Sequence, residues 1–545
     1  MSDLITEEKP SRLREFIRRE GLVAVMYALA LHLLIVTFSL NTPRAFVQQV
    51  KDVKPTPVLL GSAESIEDTD EEKEEEADQA ASAPSIDAIP EIGVDTPLAA
   101  PEVVANKPVE KPIEEVKEQG PSAAEKLLDS IDAPSAGPRA SGVGGKGNAA
   151  YEGRSDIGRV KALARFGGSA ASEEAVERGL AWLARVQELD NPESRDYGAW
   201  SPSEFGKHYL ERSPLENDRE WKHRLREEGI GDDDNTLGLS ALVALAFTGR
   251  GITADHERFG SNIRAAIGYL LRMQDDNGFF HNSYGRTKSG NFYDHCLSLQ
   301  AVADYAALSK QESLLPAVQR GVDALVSGQK AKGGWDYYTY PSGDLMRNRG
   351  DSSITGFALM ALISSKAAGA KVPEDAIIKV IAFLKQMARP DGLVIYSSGE
   401  KSTESANETL SGVNLLSRRL LGEPASAPIQ AKLTQQALLD RPSWGDISMK
   451  DHSLYRWYYS SLALVVAGEA TDPDWLTYNA SMQRALLAKQ ERSEGRRGSW
   501  PADDYYAEYG GRIWTTAMSV LCLEVYYRYI PEHLQRSAQE YRRFW

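Results

Sequence analysis

An all-α fold, an α/α toroid of about six helix pairs, is what this sequence predicts on three observations. Six amphipathic segments recur between about residue 175 and the C-terminus. Each leads into a short loop bearing Gly or Trp, and each loop into a second segment that is more apolar. Helix pairs repeating at about 50 to 60 residues specify a ring or solenoid, because a single pair cannot bury its apolar face alone.

The first members run over 175–187, 262–274, 317–329, 376–388, 428–440 and 478–490. Their apolar residues recur at i, i+3, i+4 and i+7, the stripe of a helix with one buried face. The loops YGAW, DDNGFF, AKGGWDYY, RPDGLVIY, RPSWGD and GRRGSW follow. Glycine there permits a positive-φ stop, and the aromatic can pack back over the helix end. The second members begin NTLGL, DHCLS, DSSIT, ETLSG, HSLYR and RIWTT, several on a residue that suits an N-cap. With fewer charges, they belong inside the ring formed by the first members. The last copy ends in the apolar LEVYYRYIP, whereas an open solenoid needs polar capping repeats, so closure is favoured over an open superhelix.

The 545 residues divide unevenly. Residues 1–20 read as a cytoplasmic N-terminus and 21–40 as a transmembrane helix, a 20-residue stretch without Asp, Glu, Lys or Arg. More basic residues precede the span than follow it, which puts the toroid on the exported, periplasmic side. Residues 41–160 read as a disordered acidic linker rich in Pro, Ala and Glu. Within it, 51–140 carry 22 acidic and 8 basic residues, nearly all of the chain's net charge of −16. The toroid occupies 165–545 and has no basic stripe, which argues against nucleic-acid binding. Cys296 and Cys522 are the two cysteines; both lie in apolar helix patterns and read as buried thiols.

Gln329, Gly333, Gly334 and Trp335, and again Gln490, Gly498, Ser499 and Trp500, form a Gln then Gly-x-Trp pattern. It resembles the QW repeat of squalene and hopene cyclases, and the helix pairs resemble the prenyltransferase/squalene oxidase repeat. Residues 333–362 are similar to the C-terminal cyclase domain, and GGRIWTTAMSVLCLEVYYRYIP to membrane-anchored squalene-cyclase-like proteins of bacteria. The resemblance covers about 165–530. It implies a squalene cyclase/prenyltransferase-like toroid with an apolar or isoprenoid ligand and no cofactor.

GDDDNTLGLSALVALAF, from Gly231, resembles the DxDDT motif of hopene-type and class II terpene cyclases, whose middle Asp protonates an alkene or epoxide. The resemblance implies catalytic roles for Asp232 and Asp234, with Asp234 the proton donor and Thr236 the Thr; Asn235 replaces the last Asp. Read from residues alone, Asp232 to Asn235 equally suit a helix N-cap. Asp294 and Cys296 resemble two of the three zinc ligands of protein prenyltransferases, but the third ligand, a His, is missing from DSSITG, so no metal is expected. His452 echoes His295 in an equivalent repeat position.

Asp234, Asp294, Asp351 and Asp451 all stand at inner-helix starts, where they could converge as a glycosidase-type carboxylate pair or act as four N-caps. Aromatic residues crowd the same ends, Tyr337, Tyr338 and Tyr459 among them. The expected ligand cavity is formed by Phe292, Tyr293, Asp294, Asp451, Trp457, Tyr458 and Trp514, with core filling as the competing reading.

Together these features predict a membrane-tethered toroid that binds an apolar or isoprenoid-like ligand or an envelope partner. The alternative is a terpene cyclase or isomerase with Asp234 as general acid. A third reading rests on His32, an ionisable group in the middle of the span. The short N-terminus, single span and Pro/Glu-rich extension resemble TonB-type energy transducers, which implies an inner-membrane proton-channel complex as partner.

Overall fold

Helix follows helix around a ring in the computed structural model. It describes residues 149–545 apart from 233–234, 283–290, 338–348, 399–405, 440, 447–452, 468–469 and 530–538. The expected span at 21–40 with His32, and the linker up to residue 148, lie outside the described residues. Among the described residues no helix is long and apolar enough to cross a membrane.

After a 3-10 turn at Ala149–Arg154 come α1 (Asp156–Phe166), α2 (Ala170–Arg185) and α3 (Asp218–Glu227). Then follow α4 (Thr236–Gly249), α5 (Gly260–Arg272), α6 (Phe292–Ser309), α7 (Leu315–Ser327) and α8 (Ser352–Ala368). The rest are α9 (Glu374–Met387), α10 (Glu408–Leu420), α11 (Pro428–Ala437), α12 (Ser453–Val466), α13 (Pro473–Lys489), α14 (Ala507–Leu523) and α15 (Val525–Arg528). A short antiparallel hairpin pairs β1 (Val394–Ile395) with β2 (Ala406–Asn407).

The inner ring is α4, α6, α8, α10, α12 and α14, each packed on the next, and α14 returns to α4. The ring is therefore closed, and the open superhelix is not what forms. Every residue of α4 from Leu237 to Gly249 is buried, as a helix walled in on all sides must be. The outer helices α2, α5, α7, α9, α11 and α13 bury one stripe each; in α2 it includes Val176, Gly179, Leu180 and Leu183.

The Gln and Gly of the repeat stitch neighbouring pairs together. Gln329 Nε2 donates to Gly333 O in its own loop and to Ala376 O at the start of the next outer helix, both at 2.9 Å. Gln187 and Gln274 do the same to Asn262 O and Ala317 O. Gln490 reaches Ala175 O at 2.8 Å, so the last copy stitches onto the first and closes the outer ring. Gly333 has φ +95°, and a Cβ there would lie 2.0 Å from Lys379 O of the adjoining helix, so both backbone and packing demand glycine. Trp335 is fully buried and its indole donates to Leu325 O at 2.7 Å, capping the end of α7.

The far end of the ring, where the inner helices finish, is closed by buried charge. Arg154 donates to Asp304 Oδ2 at 3.0 Å and to Thr248 O at 3.3 Å, while Arg528 donates to Leu245 O at 3.0 Å. Tyr151 donates to Asp304 Oδ1 at 2.6 Å. Both guanidinium groups thus sit on the carbonyl end of α4, where the helix dipole favours positive charge.

Candidate active site

A cavity of about 620 Å³ opens where the inner helices begin. From α4 it takes Asn235, Gly238, Leu239, Leu242 and Leu245, and from α6 Asn291, Asp294, Leu297 and Gln300. These spacings of three and four select one face of each helix. The helix starts supply the rim, and positions a turn or two further along supply the deeper wall.

Aromatic side chains dominate the wall: nine tyrosines with Phe357 and Trp514. Tyr455, Tyr458 and Tyr459 share one face of α12, and Phe357 from α8 packs edge-on against Tyr459 at 5.7 Å. Tyr505, Tyr506 and Tyr509 reach the cavity because α14 breaks at Gly511, whose φ is +60°. The preceding strand of chain holds that break: Asp232 N–H donates to Tyr509 O at 2.7 Å, and Arg512 N–H to Gly229 O at 2.8 Å.

Asp294 is the one carboxyl group among the described residues of the wall, and it is 8% exposed. Burial pushes its pKa up to about 7, opposed only by a hydrogen bond from the Gly238 backbone. Gly238 makes room for it, since a Cβ there would come within 2.4 Å of Asp294 Oδ1. Asp294 does not cap α6; Asn291 does, accepting from Tyr293 N–H at 2.9 Å.

Asp351 lies just behind the wall, fully buried, and caps α8 through Oδ1, which accepts from Ser353 N–H and Ile354 N–H. Burial raises its pKa to about 6, and the Tyr396 phenol faces its carboxylate. Tyr396 and Tyr337 share a hydrogen bond between their hydroxyls, and Ser353 Oγ and Tyr455 Oη lie 2.7 Å apart.

Of the residues expected from sequence, the structure brings Tyr293, Asp294, Tyr337, Tyr458, Tyr459 and Trp514 to the wall. Phe292 and Trp457 are buried in packing outside it; Phe292 meets Phe279 edge-on at 5.3 Å. Asp232 is exposed beside the mouth, while Asn235 lines the cavity without capping α4. Asp234, Tyr338, Asp451 and His452 lie outside the described residues. His295 points into the helix packing: Nδ1 accepts from Phe280 N–H and Nε2 donates to Gly321 O, both at 3.1 Å. Burial holds its pKa down near 3, and Cys296 is likewise buried. Among the described residues no group of three His, Cys, Asp or Glu side chains could hold a metal ion.

Phe357, Tyr455 and Tyr506 were not expected at the site. The 455, 458, 459 spacing on α12 is a sequence signal that places Tyr455 with the other two. Tyr506 carries no such signal, because its position depends on the break at Gly511.

Residues 160–398 match the family model of the squalene-hopene cyclase C-terminal domain. Drimenyl diphosphate synthase of Streptomyces showdoensis is 24% identical over 168 residues, 31% of this chain. The match takes in 29% of the synthase, so the chain spans under a third of that relative's length. Among solved structures, the type II terpene cyclase MstE from Scytonema aligns with a TM-score of 0.41 at 15% identity, over 65% of this chain and 98% of the cyclase. An inactive variant of the alpha-1,6-mannanase of Salegentibacter sp. HEL1_6, in complex with alpha-1,6-mannotriose, gives 0.46 at 10% identity, over 65% and 99%. A terpene cyclase and a mannanase are thus matched about equally, and such likeness selects no chemistry. The family match over 160–398 and the closed ring of paired helices give this chain a squalene-cyclase-like fold.

Proposed function

We propose that the toroid has a terpene-cyclase-like function, holding an isoprenoid chain in the aromatic cavity and starting its rearrangement by protonation. The observation that carries this reading is Asp294, a buried carboxyl in an aromatic wall whose pKa lies near 7. An ordinary aspartate has lost its proton at neutral pH, whereas Asp294 keeps one in a large share of molecules. Its O–H bond would break as a C–H bond forms on the alkene, leaving a carbocation beside the tyrosine, phenylalanine and tryptophan faces. Those faces attract positive charge within about 6 Å of a ring centre. The match of 160–398 to a cyclase domain supports the same chemistry.

Asp234 is the second acid in this proposal, on its resemblance to the proton donor of the DxDDT motif. Two single variants separate the two acids. The purified full chain is incubated with squalene and with shorter prenyl substrates, and products are analysed by gas chromatography and mass spectrometry. A cyclic product lost in Asp294→Asn and kept in Asp234→Asn assigns the acid to Asp294; the reverse assigns it to Asp234. No cyclic product from any isoprenoid leaves the toroid as a binding module. In the same reading the apolar run at 21–40 tethers the toroid to a membrane through the linker, a proposal supported by composition.

A further inference from the structure

The cavity wall contributed by α6 ends on an amide. Its cavity positions Asp294, Leu297 and Gln300 follow one face of the helix, and Gln300 lies about 9 Å beyond Asp294 at 1.5 Å per residue. One turn further on, Asp304 is fully buried below the cavity and ion-paired with Arg154 in the closed end. Gln300 therefore marks the floor. Leu245, the last cavity residue of α4, marks the same level, because its carbonyl accepts from Arg528 of the closed end. Tyr458 of α12 reaches down to it as well, since the charges of Arg528, Asp304 and Arg154 act on its phenol.

Around these two polar side chains the floor is hydrocarbon, from Leu245, Met360, Met518 and Leu521. Gln300 is 4% exposed and Tyr458 7%, so bulk water does not serve them. Neither the Gln300 amide nor the Tyr458 hydroxyl has a hydrogen-bond partner among the described residues. The hydroxyls nearer the mouth differ: Tyr396 pairs with Tyr337, and Tyr455 with Ser353. A buried amide or phenol without a partner is costly, and a hydrocarbon covering this pair returns nothing. Just below stand two guanidinium groups that share the Asp304 carboxylate at 3.0 and 3.6 Å, while burial pushes the Glu524 carboxyl beside them well up. A cationic group at the floor is therefore disfavoured, and an oxygen that accepts from the amide N–H and the phenol O–H is favoured.

We infer that the cavity floor is a subsite for an oxygen at the inner end of the ligand's chain, a hydroxyl or carbonyl held by Gln300 and Tyr458. It makes no demand on the group at the mouth. The inference rests on the reading that the cavity takes an isoprenoid chain, and it adds a direction: with its oxygen at the floor, the chain runs outward past Asp294 with its alkenes.

The test is equilibrium binding of radiolabelled farnesol to the full chain in detergent, with competition by farnesene, the hydrocarbon of the same skeleton. The alcohol should bind about three- to tenfold better, the worth of one or two hydrogen bonds. Gln300→Leu and Tyr458→Phe should each shrink that preference, and the double variant should bring it to about one. Farnesene should bind every variant at least as well as it binds wild type, which reports an intact cavity. Farnesene that matches farnesol on wild type overturns the inference, because a water then serves the floor pair. So does a preference that survives the double variant or is erased by Ser353→Ala alone, which puts the oxygen at the rim, and so does a chain that binds neither. Selective farnesol binding lost in the double variant, without any cyclic product, sinks the cyclase reading and leaves this inference standing; cyclic product from a hydrocarbon held as tightly as the alcohol does the opposite.

Discussion

Replacing Asp294 with Asn should change how stability depends on pH. The folded-state pKa near 7 is raised from the ordinary aspartate value of 3.8. Between those two values the folded chain therefore binds more protons at this site than the unfolded chain. The site leaves stability untouched at low pH, where both states are protonated, and weakens it steadily as pH rises toward 7. The slope approaches 1.36 kcal/mol per pH unit between the two values and halves at the folded-state pKa, so the stretch from pH 5 to pH 7 amounts to about 2 kcal/mol, with little further change above it. Asn is close in shape, fits beside Gly238 and keeps an oxygen to accept from its backbone, but it has no charge to bury. Urea unfolding of wild type and Asp294→Asn at pH 5, 6, 7 and 8 reads the effect directly. The variant's stability relative to wild type should climb by about 2 to 3 kcal/mol across the series. A difference that stays constant with pH would refute the argument that Asp294 is buried without a compensating positive charge.

Other perturbations probe the ring. Asp304→Asn removes the carboxylate that Arg154 and Arg528 share in the closed end, leaving Arg528 only the Glu524 carboxyl at 3.7 Å, and should lower stability by about 3 to 5 kcal/mol in chemical denaturation, the cost of breaking a buried ion pair from one side. Gly333→Ala forces a side chain into positive φ and against Lys379 O; a loss of about 1 to 3 kcal/mol is expected, and an unchanged midpoint would contradict the stitching role. Gln490→Ala removes the bonds to Gly498 O and Ala175 O at the seam, so hydrogen exchange should speed up in α2 and α13 before it does in α7 or α9.

The ring was legible because its rules are local. Period, apolar stripe and the Gln, Gly and Trp positions all sit within one helix pair; the Trp closes its own pair, and the Gln bonds both its own loop and the next outer helix. The aromatic mouth was legible in part, since Tyr293, Tyr458, Tyr459 and Trp514 stand near inner-helix starts. Phe292 and Trp457 share that position in the chain but face the helix packing, and only rotation about each helix axis decides between the two. The state of Asp294 was not legible: it depends on Gly238 of a different repeat leaving space and on there being no cation beside it among the described residues. The buried charges of the closed end were hidden for a similar reason, as Arg154 stands before the first repeat and Arg528 after the last inner helix, while Asp304 looks like one polar residue in an apolar helix.

The central claim, a proton delivered from Asp294 to an isoprenoid chain in the cavity, is tested most directly by running the incubation in deuterium oxide. The carboxyl proton exchanges with solvent, so wild type should yield a cyclic product with one deuterium on a carbon that was part of an alkene, and Asp294→Asn should yield none of that product. A cyclic product without deuterium, or one formed equally by Asp294→Asn, would contradict the account.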